Sequence, residues 1–559
     1  MIQLTPAIVA QDAVRRLPRL ALLLFCLAYV VPGFIGREPW KNADIAAFGQ
    51  MYELAFGPTS WLSPALLGQP PEFDALLPYW LGAMAIRLAP SWMSADLAVR
   101  LVFPFLLVLT LVSTWYAVYY LARTPKAQPV PFAFGGEANP PDYARAMADG
   151  GILALIACLG LAQLSHETTP SLAQVAFGSL SFFAMAAMPR QLAVGGACLL
   201  AGLAGLALSG APAMALLFGL GGLAVTALDH DEDATASSWR QLPVYAGAML
   251  LVALLAWSLG LWHWRVTESS IGRWQPFARL LLWFTWPAWP LALWTLWRWH
   301  RQLTSRHVAL PLWFVVVGVV TTLMTSSSDR SLLLALPALA TLAAFALPTL
   351  SRSVSALIDW FTLLFFTGCA FIIWVVWIAM QTGFPPRPAA NVARLAPGFE
   401  HTFSLLAFTL ALAATLAWAW LVKWRTGKHR TAIWKSLVLP AGGAALCWLL
   451  VMTLWMPVLN YARGYSPLVR AVMSRIDKPG CVEVLGLSRA QIAAFRYHGG
   501  LEMQWAGRDG KCPWLIASDE LQPAPPPGID IRQWTQVAKI RRPSDANEDV
   551  FVYRRSARP

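Results

Sequence analysis

The stretch that decides the fold is RLALLLFCLAYVVPGFIG (residues 19–36), which leads directly into REPWKNADIAAFGQMYEL (residues 37–54). The first part is an apolar run of the length that crosses a bilayer, since about 17–25 residues span roughly 30 Å of hydrocarbon. Arg15, Arg16 and Arg19 surround its start and no small-residue cleavage site follows, which predicts an uncleaved anchor. The second part then lies beyond the membrane and carries an aspartate, Asp44.

The composition of the whole chain supports a membrane protein. Of its 559 residues, 57% are hydrophobic, only 13% are charged and 29 are tryptophan, with a mean hydropathy of +0.53. One soluble core does not bury so much apolar surface. The net charge of +13 does not indicate nucleic-acid binding, because the basic residues are scattered between apolar runs.

Apolar runs follow one another almost without interruption until about residue 457 and predict an α-helical polytopic membrane protein. We expect about thirteen transmembrane helices, near residues 19–36, 99–122, 149–164, 172–188, 191–208, 211–228, 242–262, 277–298, 308–325, 331–350, 356–380, 403–423 and 434–457.

Lysine and arginine in the short connections predict the orientation. With a cytoplasmic N-terminus, every inner loop is basic, through Arg123, Lys126, Arg190, Arg240, Arg298, Arg301, Arg306, Arg352, Lys423, Arg425, Lys428 and Arg430. The outer loops are less basic, and an odd number of spans places the C-terminal tail outside. The predicted location is a bacterial inner membrane, with a periplasmic tail.

Two domains are predicted. Residues 1–457 form a transmembrane domain whose first outer loop, 37–98, contains amphipathic, interfacial helical pieces. Residues 458–559 form a small α/β domain, with strands in CVEVLGL (481–487), CPWLIAS (512–518) and VFVYRR (550–555) and a helix in RAQIAAFRYHG (489–499).

Only two of the seven cysteines, Cys481 and Cys512, lie in the tail, and each begins a predicted strand. In an oxidising compartment they form a disulfide; the alternative is two buried thiols on adjacent strands. The chain has no CxxC motif and no His/Cys spacing typical of a metal site.

Asp44 has two interpretations. A carboxylate in the first turn of a helix accepts backbone N–H groups and complements the helix dipole. Alternatively, an ionisable residue at the membrane edge marks a functional site.

The order of features around Asp44 resembles a known family. ADIAAFGQM (43–51) is followed by WLSPALLGQPPEFDALLPYWLGAMAIRLAP (61–90) and SADLAVRLVFPFLLVLT (94–110), and later by FTWPAWP (284–290) and TTLMTSSSDRSLLLALPALATLAAF (321–345). This order is similar to the polyprenyl-phosphate-dependent glycosyltransferases of the GT-C fold, which include bacterial aminoarabinose transferases and protein mannosyltransferases. Asp44 matches the aspartate of their first outer loop, and Arg100, Arg330 and Pro337 match further positions.

The resemblance implies a mechanism. Asp44 would be the general base for an acceptor hydroxyl, and Arg330, Arg265 and Arg273 would hold the donor phosphate; for each arginine, the alternative is snorkelling at the interface. The chain also departs from the family. EFDALLP (72–78) lacks the usual Lys-Pro-Pro, and Ala47 and Leu334 replace an arginine and a tyrosine.

Four further residues are candidates for a second acid, an acceptor contact or a metal ligand, namely Glu72, Asp74, His166 and Glu167. For the adjacent His166 and Glu167, the alternative is a solvent-facing cap at a turn. No cofactor is indicated, and a divalent metal ion is left open.

The predicted function is transfer of a hexosyl or pentosyl group from an undecaprenyl-phosphate type donor to an acceptor such as lipid A, a glycan or a protein. The predicted partners are that lipid donor, membrane lipids and the acceptor. Two alternatives remain: a lipid-linked sugar flippase, against which the absence of internal repeats in the sequence argues, and a catalytically inactive scaffold of the same fold.

Overall fold

The computed structural model describes residues 5–228, 232–262, 274–324, 328–426, 432–477, 480–507, 510–520 and 531–556. These residues are mostly helical. The α-helices are α1 Arg19–Val30, α2 Ala43–Phe56, α3 Leu77–Leu88, α4 Ala95–Ala122, α5 Pro140–Ala157, α6 Leu159–Leu164, α7 Pro170–Ala187, α8 Leu192–Leu208, α9 Pro212–Ala227, α10 Glu232–Ser258, α11 Trp274–Phe284, α12 Ala288–Arg298, α13 Arg306–Met324, α14 Ser328–Leu333, α15 Leu336–Ala346, α16 Arg352–Thr382, α17 Pro386–Leu395, α18 Leu405–Thr426, α19 Val438–Leu454, α20 Met456–Arg463, α21 Ser466–Met473 and α22 Arg489–Gly499.

The chain divides into two compact units. The first, the helical unit, contains Met1–Phe34, Phe103–Ile373 and Leu406–Thr453; the second, the loop-and-tail unit, contains Ile35–Val102, Trp374–Leu405 and Leu454–Pro559. The first outer loop therefore groups with the C-terminal tail rather than with the helices that flank it in sequence. The division of the chain at residue 457 stays a prediction.

Within the described ranges, seven helices are long and apolar enough to cross a membrane, and the predicted count of thirteen is not confirmed. The seven are Ala95–Ala122, Pro170–Ala187, Trp239–Ser258, Arg306–Met324, Arg352–Thr382, Leu405–Arg425 and Ile433–Leu454. Other apolar runs form shorter or broken helices. The run 149–164 is interrupted at Cys158. The run 277–298 is interrupted around Pro287, because proline donates no backbone hydrogen bond.

The surfaces of α16 and α18 confirm the membrane class. In the most apolar 18-residue stretch of Arg352–Thr382, only 22% is buried inside the protein. In the corresponding stretch of Leu405–Arg425, only 11% is buried. Large apolar side chains such as Leu364, Phe371 and Leu416 are exposed along them. Water does not tolerate continuous apolar surface of this extent, whereas lipid chains do. The protein is an α-helical polytopic membrane protein with a small C-terminal sheet.

The sheet of the loop-and-tail unit has five strands: β1 Cys481–Leu485, β2 Glu502–Trp505, β3 Trp514–Ala517, β4 Trp534–Arg542 and β5 Asp545–Arg555. Their order is β2-β1-β3-β5-β4. β1 pairs in parallel with β2 and β3, and β5 pairs antiparallel with β3 and β4. The predicted strands correspond to β1, β3 and β5, and the predicted helix to α22.

The two outermost strands of this sheet, β2 and β4, were not predicted from the sequence. Both are largely solvent-exposed, and their sequences, EMQW and WTQVAKIRR, are mainly polar. Edge strands have one unpaired side, and polar or charged residues on them prevent association with other chains. They therefore lack the apolar run by which buried strands are recognised.

Cys481 and Cys512 are joined by a disulfide, with their Cα atoms 5.2 Å apart and a sequence separation of 31. A loop of this length predicts a stabilisation of about 3–4 kcal/mol. We expect the Cys481→Ser/Cys512→Ser double variant to unfold at a lower temperature than the wild type under non-reducing conditions. Dithiothreitol should lower the wild-type midpoint to that of the variant, and Cys198→Ala, which removes a free cysteine, should not change it. Labelling of both tail thiols by a maleimide in the untreated protein would contradict the disulfide.

Helix α2 is buried on nearly all sides, from Ala43 to Met51 and again at Leu54 and Ala55. The prediction of an amphipathic, interfacial helix is therefore wrong for this segment. Within the same unit α2 packs against α22, where Gly49 lies directly against Ala493, and against α3, where Gly82 lies against Met51. Glycine is required at both places because a Cβ atom would overlap the neighbouring side chain. Protein neighbours, rather than lipid, cover the apolar face of α2.

Candidate functional site

Asp44 lies in the first turn of α2 and is almost completely buried, with 1% of its surface exposed. Its Oδ2 accepts hydrogen bonds from the backbone N–H of Trp40 at 3.1 Å, from Arg37 Nη2 at 3.2 Å and from Arg100 Nη2 at 3.1 Å. Both arginines are also buried. Two guanidinium groups at this distance stabilise the ionised carboxylate.

Asp44 is an acid of the first turn of α2, as one interpretation of the sequence predicts, but it is not the N-cap residue. The N-cap residue is Asn42, and the N–H that Asp44 accepts belongs to Trp40, which precedes the helix. The two arginine partners were not identified from the sequence, because 56 residues separate Asp44 from Arg100. In the described part of the chain, Nε and Nη1 of Arg100 are buried without a hydrogen-bond partner. Arg100 therefore has donors left for a ligand after it has bound Asp44.

The second candidate acid of this unit, Glu72, lines a cleft of about 600 Å³ in the loop-and-tail unit. The cleft has polar side chains from both parts of the unit, namely Asn42, Gln69, Glu72, Ser488, Arg489 and Glu548. Ala46, Glu72 and Arg489 also line a smaller chamber, together with Gln50. Asp44 lines neither space, and Asp74, which is half-buried, also lines neither. The structure thus brings Glu72 to an open cleft and Asp44 to a buried ion cluster.

The helix that carries Arg489 also carries a half-buried histidine near its end, His498. Burial lowers the pKa of His498, the negative charge of Asp96 raises it less, and Arg470 lowers it further. Its Nε2 is buried and has no hydrogen-bond partner within the described residues. The folded unit therefore favours the neutral ring, whereas the unfolded chain accepts a proton near pH 6.5.

Because the pKa of His498 is lowered in the folded protein, its neutral ring contributes to the free energy of unfolding. We expect this contribution to be fully present above about pH 6.5 and to be lost as the pH falls below that value. The thermal midpoint of the wild type should therefore decrease between pH 7.5 and pH 5, and His498→Gln should reduce that decrease. Thermal unfolding in nanodiscs at the two pH values measures both. His401→Gln, at an exposed histidine of the same unit, serves as the control. An equal pH dependence in the His498 variant and the wild type would contradict this role.

In the helical unit the structure brings two other candidate residues together, Arg330 and Glu167. Arg330 Nη2 lies 2.7 Å from Glu167 Oε2, and Arg330 Nη1 donates to Thr169 Oγ1 at 3.4 Å. The side chain of Glu167 is 7% exposed and that of Arg330 is 15% exposed. Arg330 is therefore paired with a protein carboxylate rather than extended to the interface as a snorkelling side chain.

His166 is fully buried in the same unit, so the interpretation of a solvent-facing cap is wrong for it. Its ring lies against Tyr29, Phe34 and Trp448. Nε2 is 2.9 Å from the carbonyl oxygen of Tyr29, and Nδ1 is 2.5 Å from that of Ala162. Since both ring nitrogens already face acceptors, neither is arranged to bind a metal ion.

Two of the predicted phosphate ligands, Arg265 and Arg273, lie outside the described residues. Among the described residues, no three His, Cys, Asp or Glu side chains lie close enough together to hold a metal ion. No step of the chemistry below depends on a metal.

A protein with this helical architecture and a small C-terminal sheet has the fold of the GT-C class of membrane glycosyltransferases. Two solved structures that share this fold are of ArnT from Cupriavidus metallidurans, one in the apo state and one bound to undecaprenyl phosphate. Each aligns with 96% of this chain at a TM-score of 0.60 and 14% sequence identity, covering 98% and 97% of the ArnT chain respectively. At this identity the match establishes the fold.

By sequence, no protein-family model matches the chain, and no curated protein matches it.

Proposed function

We propose that the protein is a membrane glycosyltransferase that takes a sugar from a polyprenyl-phosphate donor and transfers it to an acceptor hydroxyl outside the cytoplasm. The observation that carries the proposal is the fold match over 96% of the chain to an ArnT structure bound to undecaprenyl phosphate. The ion cluster at Asp44 and the ion pair at Arg330 lie at positions where the sequence resembles that family.

In the proposed reaction the acceptor oxygen attacks the anomeric carbon of the donor sugar. The bond between that carbon and the phosphate oxygen breaks, and the polyprenyl phosphate leaves with the electron pair. The hydroxyl proton passes to the carboxylate of Asp44. Arg330 stabilises the negative charge that develops on the leaving phosphate, exchanging Glu167 for it.

Arg37 and Arg100 have a positioning role in this scheme. Each donates to Asp44, and Arg100 also donates to the carbonyl oxygen of Glu38 at 3.0 Å. The carboxylate is therefore held in one orientation before an acceptor arrives, which lowers the entropic cost of the reaction.

One observation favours a second candidate function, a catalytically inactive scaffold. Asp44 is 1% exposed, and two arginines already neutralise it. A carboxylate in this state is typical of a structural ion cluster, and catalysis requires that the acceptor hydroxyl reach it.

The experiment that separates these functions measures sugar transfer by the purified protein in nanodiscs. Undecaprenyl-phosphate-linked pentoses and hexoses serve as donors, and lipid A, a glycan and a peptide serve as acceptors. Transfer with release of undecaprenyl phosphate supports the proposal. Binding of undecaprenyl phosphate without transfer across the panel contradicts it and supports the scaffold, whereas movement of the lipid-linked sugar across a vesicle membrane supports a flippase.

A further inference from the structure

The cleft of about 600 Å³ in the loop-and-tail unit is not used by the chemistry assigned to Asp44 and Arg330. Its size falls within the range of about 300–1,000 Å³ that is typical of small-molecule sites. Residues of the first outer loop, such as Asn42 and Glu72, form one side, and residues of the tail, such as Ser488 and Glu548, form the other. The cleft therefore exists only because the loop and the tail fold together.

The strongest sign of a ligand lies at the inner end of this cleft, in the smaller chamber. Gln50 lines that chamber and is 2% exposed, yet neither its amide nitrogen nor its amide oxygen has a hydrogen-bond partner within the described residues. Arg489 lines both spaces, and its Nε is likewise buried without a partner. Leaving buried polar groups without a hydrogen-bond partner destabilises the folded protein, and a ligand that pairs with them removes this cost. The chamber itself, at about 10 Å³, has room for about one water molecule.

The groups that remain unsatisfied define the chemistry of the ligand. The Gln50 amide offers both a donor and an acceptor, and Arg489 offers a donor. A hydroxyl group is also both a donor and an acceptor, so a ligand rich in hydroxyl groups pairs with both side chains, directly or through one water.

The charges of the lining exclude a strongly anionic ligand. Two carboxylates, Glu72 and Glu548, and one guanidinium, Arg489, line the cleft. Glu548 is itself bound by the buried Arg542 and accepts a hydrogen bond from Tyr465 at 3.2 Å. The lining of the site therefore has no excess of positive charge with which to bind a phosphorylated headgroup.

We propose that this cleft binds an uncharged, hydroxyl-rich sugar unit, the glycan portion of the acceptor, with Gln50 and Arg489 at its inner end. This inference rests on the proposed glycosyltransferase function, whose acceptor it narrows to a neutral carbohydrate. Glu72 then contacts the acceptor rather than acting as a second acid or a metal ligand.

Saturation-transfer NMR on the protein in nanodiscs tests the inference, with N,N′-diacetylchitobiose as the neutral probe and its 1-phosphate as the anionic probe. We expect the neutral disaccharide to bind the wild type more tightly than the phosphate. Gln50→Leu and Arg489→Gln should each weaken binding about tenfold, as the loss of one hydrogen bond predicts.

Two further measurements keep the test independent of folding. Gln50→Leu removes a buried amide without a protein partner and replaces it with an apolar side chain of similar size, so its thermal midpoint should not fall. Arg475→Gln, at an exposed arginine of the same unit, should bind the probe as the wild type does. Three results would each overturn the inference. They are equal binding of the neutral probe by the wild type and both variants, tighter binding of the 1-phosphate than of the neutral probe, and no binding of the neutral probe at all.

The same preparations are assayed for sugar transfer from the lipid-linked donors. If the protein transfers sugar but Gln50→Leu and Arg489→Gln bind the probe as the wild type does, the cleft assignment is contradicted and the proposed function is not. Probe binding that depends on both residues, in a protein that transfers no sugar from any donor, would contradict the proposed function and leave the cleft as a carbohydrate site.

Discussion

Asp44→Asn should lower sugar transfer by about 100- to 10,000-fold, because the acceptor hydroxyl loses its general base. The same change removes the charge that neutralises two buried arginines, Arg37 and Arg100. Breaking a buried ion pair by removing one partner costs about 3–5 kcal/mol. A loss of activity in this variant alone therefore does not distinguish catalysis from unfolding.

Asp44→Glu separates the two roles. Glutamate keeps the negative charge for both arginines but moves the carboxyl group by about the length of one carbon–carbon bond, roughly 1.5 Å. A displacement of this size is expected to reduce transfer by about 100-fold, with a smaller decrease in the thermal midpoint than in Asp44→Asn.

The measurements are steady-state transfer, undecaprenyl phosphate binding and thermal unfolding in nanodiscs. Asp96→Asn is the matched control, since Asp96 is another carboxylate of the same unit and accepts a hydrogen bond from Tyr497 at 2.6 Å that asparagine can also accept. We expect it to transfer sugar within about twofold of the wild type. Wild-type transfer by a folded Asp44→Glu protein would show that Asp44 is only an ion-pair anchor.

Arg330→Gln should weaken binding of undecaprenyl phosphate by about 10- to 100-fold, as expected for the loss of charge-assisted hydrogen bonds to a phosphate. It should also lower the thermal midpoint, because Glu167, whose side chain is 7% exposed, is left without its ion-pair partner. The destabilisation is expected to be about 1–3 kcal/mol.

The ion pair provides a way to separate these two effects. In Arg330→Gln/Glu167→Gln two neutral amides face each other, so the double variant should recover thermal stability without recovering affinity for the lipid phosphate. Glu167→Gln alone removes the competing carboxylate and should bind undecaprenyl phosphate at least as tightly as the wild type. Arg352→Gln, at an exposed arginine of the helical unit, controls for a general loss of positive charge. Wild-type affinity in the double variant would assign Arg330 to the ion pair and not to the phosphate.

The membrane class of this protein and three strands of its small sheet could be predicted from its sequence because the signals are local. The apolar run 356–380 predicts a membrane-spanning helix without reference to any other segment, and α16 is long and apolar enough to be one. A buried strand such as β3 is recognised by its own side chains. The run 19–36 forms only the shorter helix α1, so the predicted anchor is not confirmed there. The number of spans could not be predicted in this way, since an apolar run does not reveal where a helix breaks, as it does at Cys158.

The arrangement of the candidate site depended on contacts between distant parts of the chain. From the sequence alone it follows that Asp44 lies after an apolar run and that Arg330 precedes an apolar run with a proline. Only the tertiary structure decided that Asp44 binds Arg100, 56 residues away, and that Glu167 binds Arg330. The same holds for the cleft between the loop and the tail, with Gln50 and Arg489 at its inner end. The physical reason is that ion pairs and cavities depend on distances in space, whereas hydropathy and periodicity describe only neighbours along the chain.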